Sequence, residues 1–331
     1  MPEGHSVHRI ARQFALHFVG HRVAASSPQG RFASGASEID GRVLEEARAI
    51  GKQMFLRFDN GLYLRVHLGM YGAWDFAGAV ELGAALSVAA TPAPGELGSP
   101  GSLRKTSETV VGSHEDSFSS IGAPRRTRLR MAEQEKVGED IDSFPPEPIG
   151  QVRVRLLTDD AVADLRGPTA CEVLHPEQVQ ATIAKLGPDP LVDDPAEGEQ
   201  RFVTAARKKP TPIGLLLMDQ AVVSGIGNVY RAELLFRARL EPHTPGKLVP
   251  EQTLRELWRD WTYLLGVGVS TGQMLTMDDL SDEDYRKALA HRDDRHWVYH
   301  RTGLPCRVCG TPIAMEMAGG RKLYWCPQDQ K

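Results

Sequence analysis

Apolar side chains fall at Val7, Ile10, Ala11, Phe14 and Phe18, steps of three and four that place them on one face of a helix, and Gly20 follows as a stop. The pattern predicts an amphipathic helix over residues 4–19, which ties the amino terminus to a packed element. Short strand-like runs come next at 54–58, 62–67 and 152–157, and Asp59-Asn60-Gly61 between the first two has the composition of a hairpin turn. This half reads as a β-sandwich carrying a helix. Between about residues 79 and 148 the periodicity dissolves into Ala, Pro, Gly, Ser and Glu, as in Thr91-Pro92-Ala93-Pro94-Gly95 and Phe144-Pro145-Pro146-Glu147-Pro148. Such composition cannot repay its ordering entropy, so a mostly disordered insertion between two strands is expected. Helical periodicity returns at 179–186, 201–207, 213–218, 229–236 and 254–265, which leaves the acidic stretch 189–200 as a connection. The expected fold class is α+β and multi-domain: a sandwich with flanking helices over residues 1–175, a helical domain over 176–294 and a small hairpin domain over 295–331.

Composition narrows the class of protein. A chain of 331 residues with 41% hydrophobic content can bury a sizeable core. His5, His8, Arg9, Arg12 and His17 interrupt the first helix, and no apolar run reaches 18 residues, so neither a signal peptide nor a membrane span is expected and a cytoplasmic location follows. The net charge of -4 argues against a uniformly basic nucleic-acid binder. Charge is nevertheless segregated: residues 201–240 carry seven Lys or Arg against Asp219 and Glu233, while 188–200 carry five acids and no base. A concentrated basic surface is what phosphate binding requires, although a solvated charged face accounts for either block alone. The run Arg125-Arg126-Thr127-Arg128-Leu129-Arg130 in the insertion could touch DNA, but a solvated loop without a role accounts for it better.

Three stretches carry candidate chemistry. Loss of Met1 would turn Pro2 into a secondary amine beside the Glu3 carboxylate; an α-amino group titrates at about 7.7 to 8.0, so a useful fraction is nucleophilic near neutrality. Attack on a sugar carbon would give an iminium with no N–H to lose. Pro2 is also simply a common second residue. In Gly225-Ile226-Gly227-Asn228-Val229-Tyr230-Arg231, two glycines allow close backbone approach and Asn228 is a good N-cap type, so the following helix start could take a phosphate or merely close a structural turn. Three of the four cysteines, Cys306, Cys309 and Cys326, cluster near the end, which is metal-ligand spacing rather than a disulfide framework. Asp329 stands where a fourth cysteine is expected, so one structural zinc held by three thiolates and a carboxylate is expected, more weakly than by four cysteines. Cys171 is alone and reads as a buried thiol. Arg321-Lys322 lies near the tip of this hairpin, either as a phosphate contact or as an exposed basic turn.

Taken in order, the Pro-Glu-Gly start, Gly51-Lys52, His67-Leu68-Gly69-Met70, the stretch from Met218-Asp219-Gln220 through Arg231 and the cysteine-bearing tail resemble the formamidopyrimidine-DNA glycosylase and endonuclease VIII family of bifunctional DNA repair enzymes, closer to the actinobacterial-type endonuclease VIII members. The resemblance spans Pro2 to Lys331 apart from the insertion. It implies a helix-two-turn-helix domain and a zinc ribbon, a monomer near the nucleoid, and damaged double-stranded DNA as partner. It further implies that Pro2 attacks C1′ of the damaged nucleotide, Glu3 moves protons, Lys52 contacts DNA beside the lesion, and Asn228 and Arg321 hold backbone phosphates. Met70, helped by Tyr71, would fill the gap left by an extruded base, although for Met70 taken alone a core position on a strand over 64–74 is a serious alternative. The purine-specific branch adds an arginine and a phenylalanine in a second loop; Asp164-Leu165-Arg166-Gly167-Pro168 offers Arg166 without the phenylalanine, which tilts the expectation toward oxidised pyrimidines over oxidised purines. Strand cleavage by β,δ-elimination would follow. The competing reading is a noncatalytic zinc-ribbon protein that binds DNA.

Overall fold

A computed structural model describes residues 2–80, 120–123 and 144–331. The first helix, α1, runs over Gly4–His17 and buries Val7, Ile10, Ala11 and Phe14, as its spacing requires. Behind it the strands β1 (Arg22–Ser26), β2 (Arg42–Ile50), β3 (Gln53–Phe58), β4 (Tyr63–His67), β5 (Ala73–Gly78), β6 (Ser120–Gly122), β7 (Val152–Leu157), β8 (Ala161–Arg166) and β9 (Ala170–Leu174) form one antiparallel sheet in the order β6-β5-β8-β7-β1-β2-β3-β4-β9. A short helix, α2 (Ala33–Ile39), connects β1 to β2. β1 is the joint. Its first two residues pair with β2 and its last three with β7. Inward residues of the two halves, such as Leu56 and Leu64 from one and Trp74 and Leu156 from the other, share a single buried cluster with α1, which makes the sheet a sandwich. Phe14 of α1 meets Trp74 edge-on, with centroids 4.8 Å apart.

The second half is helical. Helix α3 (Pro176–Ile183) leads through an acidic connection to α4 (Pro195–Arg207), α5 (Ile213–Leu216), α6 (Asn228–Arg237), α7 (Glu251–Thr271) and α8 (Asp282–Ala290). Their core is aromatic: Phe202 stacks on Trp258, and Tyr230 packs edge-on against Trp261. The chain ends in a hairpin of β10 (Ala314–Ala318) and β11 (Arg321–Trp325), whose register pairs Ala318 with Arg321. The two loop residues are Gly319 and Gly320, both with positive φ, as a tight two-residue turn demands. Ile313, Tyr324, Cys306 and Cys326 pack on Val229, Ala232 and Phe236, so the hairpin rests on α6.

Several expectations need correction. Within the stretch read as an unstructured insertion, Ser120–Gly122 is a strand paired with β5, and Ile121 is fully buried. A three-residue strand is too short to show alternation. Most of the remaining insertion, including the Arg125 to Arg130 run, lies outside the described residues. The acidic connection is shorter than its charge implied, because Asp194 accepts the backbone N–H groups of Ala196 and Glu197 and so caps α4 six residues before the apolar pattern begins. Helix α8 escaped notice because only Ala288 on it is buried, leaving no apolar stripe to read. Met70 is not on a strand, since β4 stops at His67 and β5 starts at Ala73.

Candidate active site

Glycine lets three distant backbones meet. A Cβ on Gly4 would lie 2.9 Å from Gly225 Cα, and one on Gly51 would lie 2.7 Å from Ser224 Cβ. Gly51 and Gly225 also hold φ of +57° and +91°, which side-chain-bearing residues rarely adopt. At this junction the Gly4 N–H donates to the Gly225 carbonyl at 2.9 Å, joining the start of the chain to the loop before α6.

The junction delivers Glu3 to the start of α6. Its Oε2 accepts from the Gly227 N–H at 2.8 Å, and its Oε1 accepts from the Val229 N–H at 2.9 Å. A weaker contact from Tyr230 N completes the cradle at 3.4 Å. Gly227, not Asn228, is the N-cap, and a Cβ there would overlap the Glu3 carboxyl. The helix end that the sequence offered to a phosphate is therefore filled by the protein's own carboxylate. That is favourable for the same reason, because free N–H groups and the positive dipole end attract an anion.

Lys52 follows Gly51 and donates from Nζ to the Ile226 carbonyl at 2.6 Å. Although part of its side chain reaches solvent, dense protein surroundings desolvate the ammonium; this first, and Arg321 second, lower its pKa to about 8 against the pull of Glu3. His67 at the end of β4 is also held below the ordinary imidazole value, by burial and then by Lys52. Glu3, Lys52 and Arg321 thus act on one another electrostatically, with the buried Pro2 next in chain to Glu3.

Asn228 is the first residue of α6, and its Nδ2 donates to the Lys322 carbonyl at 2.9 Å. Arg231, which is 1% exposed, donates from Nη2 to the same carbonyl at 2.9 Å and to Asn228 Oδ1 at 2.5 Å. These bonds pin β11, and with it Arg321, against the helix that holds Glu3. Met70 and Tyr71 lie in the turn after β4, 47% and 48% exposed, so neither belongs to the core. Arg166 neighbours that turn through the pairing of Ala73 with Arg166, but its guanidinium is spent on the Asp75 carboxylate and the Ile149 carbonyl.

Sequence reasoning missed Asp189 and Glu233. The fully buried Asp189 accepts from the Gly51 N–H at 2.5 Å and faces His8 Nε2 at 2.8 Å. Burial alone would raise its pKa, yet His8 and the Gly51 and Leu191 N–H groups hold it below the usual carboxylate range. No pattern marks it, because its partners lie 181 and 138 residues away. Glu233 did leave a trace, as a single acid in the apolar run of α6.

The donor atoms of Cys306, Cys309, Cys326 and Asp329 lie within 4.8 Å of one another. That spacing suits a tetrahedral zinc with Zn–S bonds of about 2.3 Å, and three thiolates with one carboxylate supply the negative charge such an ion needs. Zinc there would be structural, fixing the knuckle at Cys306 to the end of β11.

Comparison with known proteins agrees along the chain. The family model for the formamidopyrimidine-DNA glycosylase N-terminal domain matches residues 1–111, that for the formamidopyrimidine-DNA glycosylase H2TH domain matches 186–279, and that for a zinc finger found in FPG and IleRS matches 303–331. Endonuclease 8 1 of Mycobacterium tuberculosis (strain ATCC 25618 / H37Rv) is 37% identical over 329 residues, covering 99% of this chain and 98% of its own. Formamidopyrimidine-DNA glycosylase of Thermus thermophilus is 36% identical over 151 residues, 45% of this chain and 54% of that protein. In structure, the Lactococcus lactis Fpg in complex with DNA containing an abasic site superposes with a TM-score of 0.65 at 17% identity, over 99% of each chain. Among the described residues no helix is long and apolar enough to cross a membrane.

Proposed function

The chain belongs to the formamidopyrimidine-DNA glycosylase and endonuclease VIII family, and on that premise we propose that it is a bifunctional DNA glycosylase and AP lyase that excises oxidised pyrimidines from double-stranded DNA. With Met1 removed, the Pro2 nitrogen gives up its proton and attacks C1′, the glycosidic bond breaks, and the base leaves with a proton. Glu3 then protonates O4′ as the C1′–O4′ bond opens, and the nitrogen lone pair forms the C1′ iminium, which acidifies the C2′ proton. Loss of that proton breaks the C3′–O bond and a second elimination breaks C5′–O, with Glu3 moving protons at both stages.

The observation that carries this reading is the Glu3 carboxylate, wholly buried, held by backbone N–H groups and coupled electrostatically to Lys52. A purely DNA-binding protein has no need to bury an acid beside its second residue. The lowered pKa of Lys52 still leaves it mostly cationic at neutral pH, fit to meet a phosphate beside the lesion, with Asn228 and Arg321 holding phosphates on either side. The exposed Met70 and Tyr71 are apolar enough to occupy the space of an extruded base. The absence of a phenylalanine from Asp164-Leu165-Arg166-Gly167-Pro168 favours pyrimidine lesions. We assign the division 1–175, 176–294 and 295–331 to a catalytic sandwich, a helix-two-turn-helix domain and a zinc ribbon, acting as a monomer in the cytoplasm.

Borohydride reduction with abasic DNA tests this directly. A covalent adduct whose peptide maps to Pro2, lost when the amine is blocked, is expected. An adduct that persists in full in the doubly substituted Pro2→Gly, Glu3→Gln protein would refute the assigned roles. Excision from duplexes bearing thymine glycol, dihydrouracil or 8-oxoguanine tests the preference, and faster release of 8-oxoguanine would reverse it.

A further inference from the structure

His300 is one of three non-glycine residues with positive φ among those described, at +59°. Non-glycine residues are uncommon in this region, and histidine is among the few that adopt it readily. The exposed ring lies 4.4 Å, centroid to centroid, from Tyr299 and 5.5 Å from Tyr324, so two buried tyrosines fix the orientation of a side chain that faces solvent. The Arg292 guanidinium carbon sits 5.9 Å above the Tyr299 ring, and the exposed Lys322 is paired with Met317 across the hairpin.

This cluster adjoins the active site. Lys322 is the residue whose carbonyl receives both Asn228 and Arg231, and the charge of Glu3 acts on Tyr299. Burial first, then Arg292 and Lys322, hold His300 below the ordinary imidazole value, against the opposing charge of Asp293. The ring is thus an exposed N–H donor oriented by two tyrosines, with the charges of Arg292 and Lys322 acting on it, the combination a phosphate oxygen completes.

We propose that His300, with Lys322 and Arg292, forms a further phosphate-binding patch that takes a DNA backbone phosphate beside the one assigned to Asn228 and Arg321. The patch rests on the reading of the protein as a DNA glycosylase. It extends the DNA track from the active site along the outer edge of the hairpin.

The test is binding of a duplex containing a tetrahydrofuran abasic analogue, followed by fluorescence anisotropy between about 50 and 200 mM salt. His300→Gly suits the positive φ, so thermal unfolding should match or exceed wild type while affinity falls about three- to tenfold, the loss of one hydrogen bond. In the Arg292→Ala, Lys322→Ala protein the slope of log K against log salt should become shallower by about 0.9, the value for one phosphate. A single methylphosphonate at the phosphate taken by the patch should weaken wild-type binding more than that of His300→Gly, and should have the least effect on the triple His300→Gly, Arg292→Ala, Lys322→Ala protein. Unchanged affinity in His300→Gly together with an unchanged salt slope in the double variant would overturn the patch. Wild-type protein that binds with these dependences but yields no borohydride adduct would overturn the glycosylase reading and leave the patch standing.

Discussion

Glu3 and Glu233 are both fully buried, and each receives three backbone N–H groups: Gly227, Val229 and Tyr230 for one, Trp297, Val298 and Tyr299 for the other. By hydrogen bonding alone they are nearly the same device. What faces them differs. Glu233 takes a fourth bond from the Thr276 hydroxyl at 2.5 Å and is enclosed beside Val298 and Phe236, where burial, outweighing its hydrogen bonds, raises its pKa. Glu3 instead is coupled electrostatically to Lys52 and follows directly on Pro2. Firm anchoring therefore says only that a carboxylate is held; what distinguishes Glu3, and supports the role proposed for it, is its place beside Pro2 and its electrostatic coupling to Lys52.

The pair can be separated experimentally. Glu3→Gln should lower base release by about 10²- to 10⁴-fold, the range for loss of a general acid or base, in single-turnover excision. It should also cost about 1–3 kcal/mol of stability, since an amide N–H would face donors. Glu233→Gln should show a similar stability loss of about 1–3 kcal/mol by denaturant unfolding, with borohydride trapping per folded molecule unchanged. Reduced trapping at full folding would abolish the contrast. At the ribbon, Asp329→Cys should slow zinc release to a chelator by about tenfold or more, because thiolate is the softer ligand. Less than one zinc per chain in the wild type would show how far the carboxylate weakens the site.

A smaller effect should appear with pH. Between about 8 and 10.4 the folded protein holds fewer protons on Lys52 than the unfolded chain does, so stability should rise with pH across that window. Over the same rise DNA affinity should fall as Lys52 loses its charge, and Lys52→Arg should remove the inflection near 8 from an anisotropy titration.

How much of this was legible in the sequence depended on range. Val7 to Phe18 and the cysteine spacing are local signals, and the helix and the ligand cluster followed from them. Gly51, Gly225 and Gly227 were visible as glycines, but that they close on one another and on Glu3 depends on contacts more than 170 residues apart, which no spacing rule contains. Asn228 was misplaced for the same reason. A capping side chain is expected when a helix start must satisfy its own N–H groups, and here a distant carboxylate does so. Asp189 was lost among neighbouring acids, since charge counting treats all five alike although this one is fully buried against His8 and Gly51.

The grip of α6 on Glu3 also sets an order of events. The acid at residue 3 is supplied early in synthesis, whereas the amides that aim it come 224 to 227 residues later. A growing polypeptide would leave this carboxylate without its backbone partners until the helical half has emerged and docked, so under the roles proposed for Pro2 and Glu3 a truncated product would lack an aimed acid.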